Sequence, residues 1–327
     1  MMNLAEYRRT ATRLADYLPW AALVGSGVVL NKDGSFQRTA KFRGPDLDSA
    51  VAAELVAVAG RINNAVRRLG SGWSIFVEAQ RSEAATYPDS TFPDPASALV
   101  DAERKAGFEE ADAHFVSGYF LTFLWLPPAE EAARAETWLY EGREKMGVDP
   151  WELLRGFIDR TDRVLALLDG FMPECRWMDD GATLTYLHST ISTNRHRVRV
   201  PEVPMHLDAL LADQPLTGGL EPRLGDKHLR VLTIVGFPTA TTPGLLDEMN
   251  RLPFPYRWST RAILLDKTDA TRLLTKIRRQ WFAKRKSVAA ILKEAMTNEA
   301  SALVDTDAAN KALDADMALQ ELGADVA

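Results

Sequence analysis

The run Val28 to Phe42, Val-Val-Leu-Asn-Lys-Asp-Gly-Ser-Phe-Gln-Arg-Thr-Ala-Lys-Phe, constrains the fold more than any other stretch of this chain. Two β-prone segments flank Lys32-Asp33-Gly34, and an Asp-Gly step between such segments is a strong hairpin signal. A hairpin forces antiparallel pairing. A helix follows, with Asp48-Ser49 as its expected caps. Its apolar residues Val51, Leu55, Val58, Ile62, Val66 and Leu69 recur every three or four positions and so gather on one face. Gly70 supplies the stop, and Trp73 to Val77 reads as the next strand. The order strand, strand, helix, strand gives the fold class: α+β, with antiparallel or mixed sheets and packed helices.

Pro88, Pro93 and Pro95 among polar residues make 82–95 a loop. A polar helix over 96–114 precedes Tyr119 to Leu126, a strand apolar on both faces that belongs inside a sheet covered on both sides. Helical stretches are expected at 129–146 and at 150–169, where Pro150 suits a first turn. Residues 201–226 hold Pro201, Pro204, Pro215, Gly218, Gly219, Pro222 and Gly225 and read as a linker or an ordered loop. Beyond them, strands are expected at 229–235 and 256–265 around a short helix near 244–252. A long helix over 268–300 and an acidic, Ala-rich helical segment over 305–327 complete the chain. The expected organisation is a first α+β unit over 1–147, a helical connection over 148–200, the linker or loop, and a second α+β unit over 227–327. The acidic segment ends without a turn or a stop signal, as expected of a chain that continues further.

With 46% hydrophobic and 26% charged residues the composition is globular, and a net charge of −6 confines any nucleic-acid role to a local patch. A single cysteine, Cys175, excludes an internal disulfide and a cysteine metal cluster. The first residues lack the apolar core of a signal peptide, and no stretch approaches the roughly 20 apolar residues of a membrane span.

Catalytic signatures are missing. No G-x-x-x-x-G-K-[ST] string exists to cradle phosphates, and Gly25-Ser26-Gly27 is followed by a strand instead of a helix, so it reads as a turn. There is no G-x-S-x-G elbow and no His pair at i, i+4. His188 reads as a structural histidine, Cys175 as a small buried hydrophobe, and Asp179-Asp180 equally as a helix cap or an acidic pair. The aspartates at 305, 307, 314 and 316 miss the glycine and glutamate of a calcium loop. No catalytic, cofactor-binding or metal-binding residue is therefore assigned.

One segment stands apart: Lys276, Arg278, Arg279, Trp281, Phe282, Lys284, Arg285 and Lys286 lie within eleven residues that contain no acid. Three readings suit it. It is a solvated helix anchored by Ile277 and Trp281; or a contact for a protein partner or an anionic membrane surface; or a local nucleic-acid-binding module over 276–286.

Longer strings carry a resemblance. Leu14 to Trp20 (LADYLPW), Val28 to Phe42, Arg43 to Ser49 (RGPDLDS), Tyr186 to Thr190 (YLHST), Val203 to Asp208 (VPMHLD) and Arg279 to Lys286 (RQWFAKRK) closely resemble the TrbE branch of the CagE/TrbE/VirB family of conjugal-transfer ATPases of type IV secretion machines. The resemblance runs over 1–323 and implies the N-terminal region of such an ATPase, without its RecA-like motor domain, toward which the acidic C-terminal segment would lead. It implies that ATP and magnesium belong to the missing motor domain. The implied role is a non-catalytic docking and assembly module at the cytoplasmic face of the bacterial inner membrane, peripheral and soluble when isolated. The implied partners are type IV secretion components, a small TrbD-like inner-membrane subunit, and further copies of the full-length protein in a hexamer.

Overall fold

The computed structural model describes residues 13–47, 49–84, 87–110, 114–128, 150–234, 246–284 and 306–324. Its elements in chain order are α1 (Leu14–Tyr17), β1 (Trp20–Gly25), β2 (Val28–Asn31), β3 (Phe36–Arg43), α2 (Ala52–Val66), β4 (Trp73–Glu83), α3 (Pro95–Glu110) and β5 (Phe115–Trp125). There follow α4 (Pro150–Asp169), β6 (Glu174–Trp177), α5 (Asp180–Ile191), α6 (Leu207–Leu211), the short strands β7 (Leu216–Thr217), β8 (Arg223–Leu224) and β9 (Lys227–His228), and a 3-10 turn at Asp247–Arg251. Last come β10 (Tyr256–Ile263), α7 (Lys267–Lys284) and α8 (Thr306–Ala324). The expected helix at 129–146 lies outside the described residues.

The expected hairpin forms between β2 and β3, with Gly34 at φ 81°. The side chain of Asp33 accepts from the N–H of Ser35 at 3.0 Å, which fixes the turn. A second hairpin joins β1 to β2 through Ser26-Gly27, so Gly25-Ser26-Gly27 is a turn, as read. β3 is the branch point of the sheet. It pairs antiparallel with β2 through its first half, with β6 through its second half, and with β5 along its other edge. The seven-stranded sheet runs β1-β2-β3-β5-β4-β10, with β6 beside β3. β5 lies between β3 and β4, the interior place its two apolar faces predict.

Helices cover both faces. On one, Phe36 and Trp73 stand opposite Trp125 on the neighbouring strands, and all three stack with Phe157 of α4 at ring-centroid distances of 5.6–6.4 Å. Each such aromatic contact is worth about 0.5–1.5 kcal/mol beyond burial alone. α4 begins at Pro150 as expected, and Leu153, Leu154, Phe157, Thr161, Val164, Leu165 and Leu168 form its buried stripe. On the other face, Leu184 and Leu187 of α5 and Leu207 and Leu211 of α6 pack with Leu18, Trp20 and Val29.

Several expectations change. α2 starts at Ala52 instead of after Asp48-Ser49, because Glu54 reaches back to accept from the N–H of Val51 at 3.0 Å. It ends at Val66, before Gly70. Its apolar face is only partly covered: Leu69 beyond its end is buried, whereas Val51 and Ile62 are exposed. The Pro/Gly-rich region 201–226 is ordered, and α6 within it belongs to the core, since Leu207 and Leu211 are buried. Leu229 to Ile234 form no strand, although β10 forms nearly as expected.

The chain divides into two compact units: residues 1–68 with 72–262, and 69–71 with 263–327. The division thus falls near residue 262 and not at the 201–226 stretch, because β10 pairs with β4 and joins the first sheet. In the second unit, α7 packs along α8, and the hydroxyl of Ser71 accepts from the N–H of Asp266 at 3.0 Å just before α7 begins.

Candidate functional site

The basic segment lies on the second half of α7. Lys276, Arg278 and Arg279 are exposed, while Leu274 and Ile277 on the same helix are half-buried. Trp281, Phe282 and Lys284 belong to the helix backbone, and Arg285 and Lys286 lie outside the described residues. Arg278 Nη1 meets Asp316 Oδ1 of α8 at 2.8 Å. The acidic helix thus neutralises some of the basic one, with both partners about half exposed, which limits the pair to under about 1 kcal/mol. Lys276 and Arg279 share an open polar face with Thr268, Thr271, Arg272 and Thr275. Of the eight residues named in the segment, the described side chains Lys276, Arg278 and Arg279 are exposed on the surface of α7.

The first unit holds a polar cluster that local sequence gave no sign of. Glu78 of β4 is buried and its Oε1 lies 2.7 Å from Arg257 Nη2 of β10. Tyr186 of α5 donates to Glu78 Oε2 at 3.4 Å, and Arg257 Nη1 donates to the carbonyl of Ser189 at 3.3 Å. Arg195 donates to the same carbonyl at 3.2 Å. With its amide oxygen toward that guanidinium, Gln80 accepts from Arg195 at 2.6 and 3.2 Å. Burial pushes the Glu78 carboxyl up despite the opposing charge of Arg257. Burial, aided by the Glu78 charge, pushes the Tyr186 hydroxyl up to about 12. The cluster ties α5 to β4 and β10 beneath an open cleft of about 850 Å³, lined by Lys41, Phe120, Thr185 and Arg197 among others. The hydroxyl of Ser189 donates to the carbonyl of Tyr186 at 2.6 Å within its own helix, the ordinary back-bond of a helical serine.

The remaining residues noted in the sequence have structural roles. Asp179 caps α5, accepting from the N–H of Ala182 at 2.7 Å. His188 is buried, with Nε2 3.1 Å from Asp213 Oδ2, and its ring centroid lies 4.4 Å from that of His196. Burial works to raise the Asp213 carboxyl, but hydrogen bonds from Asn194, His188 and Ser192 outweigh it and hold the group low. Cys175 is buried on β6, and burial with the nearby charge of Asp169 pushes its thiol up to about 11. A thiol so protonated is a poor nucleophile. Among the described residues no cluster of three or more His, Cys, Asp or Glu is arranged to hold a metal, and no helix is long and apolar enough to cross a membrane.

Comparison with known proteins supplies what the geometry alone does not. The domain family described as type IV secretion system ATPase VirB4/TrbE, N-terminal domain, matches residues 27–133, from the β1–β2 turn to beyond β5. A conjugal transfer protein TrbE of Rhizobium radiobacter is 33% identical over 298 residues, covering 86% of this chain and 36% of that protein. In Sinorhizobium fredii a probable conjugal transfer protein TrbE is divided into two pieces. The first piece is 39% identical over 139 residues, covering 42% of this chain and 93% of that piece. The second piece is 36% identical over 98 residues, covering 30% of this chain and 15% of that piece. The chain thus spans 36% of the length of the Rhizobium radiobacter relative.

Proposed function

We infer the function from one premise: the chain belongs to the VirB4/TrbE family of conjugal-transfer, type IV secretion ATPases, as N-terminal sequence of that family. On that footing it is a non-catalytic assembly and docking module, which places the motor of the ATPase at the inner-membrane secretion complex. Attachment is peripheral, on the cytoplasmic face, through a small TrbD-like membrane subunit. Hydrolysis of ATP with magnesium is the work of a motor domain, whose phosphate-binding string does not occur in this sequence. Hexamer formation is likewise a property of the full-length protein.

The observation that carries the docking role is α2. It reads Ala-Ala-Glu-Leu-Val-Ala-Val-Ala-Gly-Arg-Ile-Asn-Asn-Ala-Val; along its apolar face Leu55, Val58 and Val66 are only half-buried and Ile62 is exposed, and only Ala65 of the helix is buried. Val51 just before it is 60% exposed and Val56 is 73% exposed. An apolar helix face with exposed valines beside it is normally covered more fully. A protein neighbour supplies that cover.

The test has two arms. The purified chain is assayed for magnesium-dependent ATP turnover, expected at background level. It is then offered to the small membrane subunit in anionic vesicles, with Val56→Asp as the control, because that side chain is exposed and its replacement spares the core. Capture by subunit-bearing vesicles, lost in Val56→Asp, supports the reading. Saturable turnover by the chain, or equal salt-resistant flotation on vesicles without the subunit, overturns it.

A further inference from the structure

The segment Leu229-Arg230-Val231-Leu232-Thr233-Ile234 carries a strand signal and makes no strand. Val231 is 81% exposed and Leu232 is 93% exposed. Beyond the bond from the N–H of Leu229 to the carbonyl of Pro222 at 2.8 Å, residues 230–234 make no backbone hydrogen bond among the described residues. By alternation, Val231 would face one side of a sheet and Leu232 and Ile234 the other. Such a pattern fits a strand with cover on both faces.

The complementary vacancy lies in the same unit. Among the described residues β10 ends the seven-stranded sheet and has β4 as its one neighbour, so its other edge carries no described strand. No proline interrupts Tyr256 to Ile263, and its last five residues are exposed. We propose that Leu229–Ile234 is a strap that closes on the free edge of β10 as an added strand of the sheet. The unpaired segment and the unpaired edge are the two halves of that contact.

The chain's own segment is the occupant, and not that of a second copy. Twenty-one residues separate Ile234 from Tyr256. That is ample for either an antiparallel return or a parallel crossover, which needs about a dozen. Because the two segments belong to one chain, their pairing does not depend on protein concentration, which favours this chain's own segment over that of another copy. Closed, the strap protects the sheet edge from other chains. Opened, it releases two sites for β-augmentation at once.

The experiment uses the full chain. Amide hydrogen exchange on the unmodified protein is expected to show residues 230–234 and the β10 amides protected by on the order of 10-fold or more relative to an unstructured peptide. Exchange of 230–234 at the unstructured rate overturns the proposal. In a Cys175→Ala background, Leu232→Cys is paired in turn with Ser259→Cys, Thr260→Cys and Arg261→Cys, and each pair is oxidised. A disulfide within one chain, in at least one of the three pairs, supports the strap. Disulfides only between chains assign the edge to a second copy and overturn it, as does no cross-link in any pair.

Discussion

The backbone N–H of Gly27 donates to Asp180 Oδ1 at 2.6 Å, joining the β1–β2 turn to the first turn of α5 across 153 residues of sequence. Gly27 has φ 65°, and a Cβ placed there would run into the carbonyl oxygen of Met178. The glycine meets two demands at once, a left-handed backbone and an approach too close for any side chain. Asp179, the neighbour of Asp180, caps the same helix, so two adjacent aspartates serve one helix start, one inward to the cap and one outward to the hairpin.

Gly27→Ala is therefore expected to destabilise the first unit by about 3 kcal/mol, combining the left-handed penalty with the clash. Gly44→Ala is the control, since a Cβ there meets nothing within 4 Å. Urea unfolding followed by tryptophan fluorescence measures both. Equal midpoints for the two variants would contradict the close approach.

Arg257→Ala is expected to cost more than Glu78→Gln. Removing the arginine leaves a buried carboxylate without its counter-charge, at about 3 kcal/mol near neutral pH. The sign with pH follows from the raised Glu78 carboxyl. A group whose folded value lies above its unfolded value contributes stability that is present at low pH and lost as pH rises through the folded value. The defect of Arg257→Ala should accordingly be smaller at an acidic pH than at pH 7.5, since Glu78 takes up a proton as the pH falls. Paired unfolding curves at the two pH values check it.

Asp213 behaves in the opposite sense. Its carboxyl is held low by Asn194, His188 and Ser192 against the effect of burial. The stability it contributes is present above the unfolded value near 3.9 and is lost as pH falls through the folded one. Asp213→Asn should lower stability at pH 7 by about 1–2 kcal/mol and flatten the acid limb of the stability curve below about pH 4. An acid limb identical to that of the parent chain would rule out this role.

Cys175 should resist thiol reagents in the folded protein at pH 7–8, since it is buried and its thiol stays protonated up to about 11. Full labelling is expected only in denaturant. Stoichiometric labelling of the folded chain within minutes would show that β6 does not cover it.

Local chemistry was enough to place several elements. Asp33-Gly34 fixed a hairpin, because a positive φ beside a short acceptor side chain is a property of three or four residues. Pro150 and the three-to-four spacing from Leu153 to Leu168 fixed α4 for the same kind of reason. Likewise the basic run ending in Lys286 was visible as a string, and the family resemblance rested on strings of five to fifteen residues. What only the tertiary structure decided is which distant residues meet. The forked pairing of β3, the place of β10 beside β4 and the Glu78–Arg257 pair all join segments remote in sequence. Strand order and register follow from which layer packs on which, and a one-residue slip moves every side chain to the other face. Propensity has no access to that choice. α2 makes the same point in reverse: its apolar periodicity is a local fact, but whether that face is covered depends on what stands opposite, and in this chain the cover is only partial.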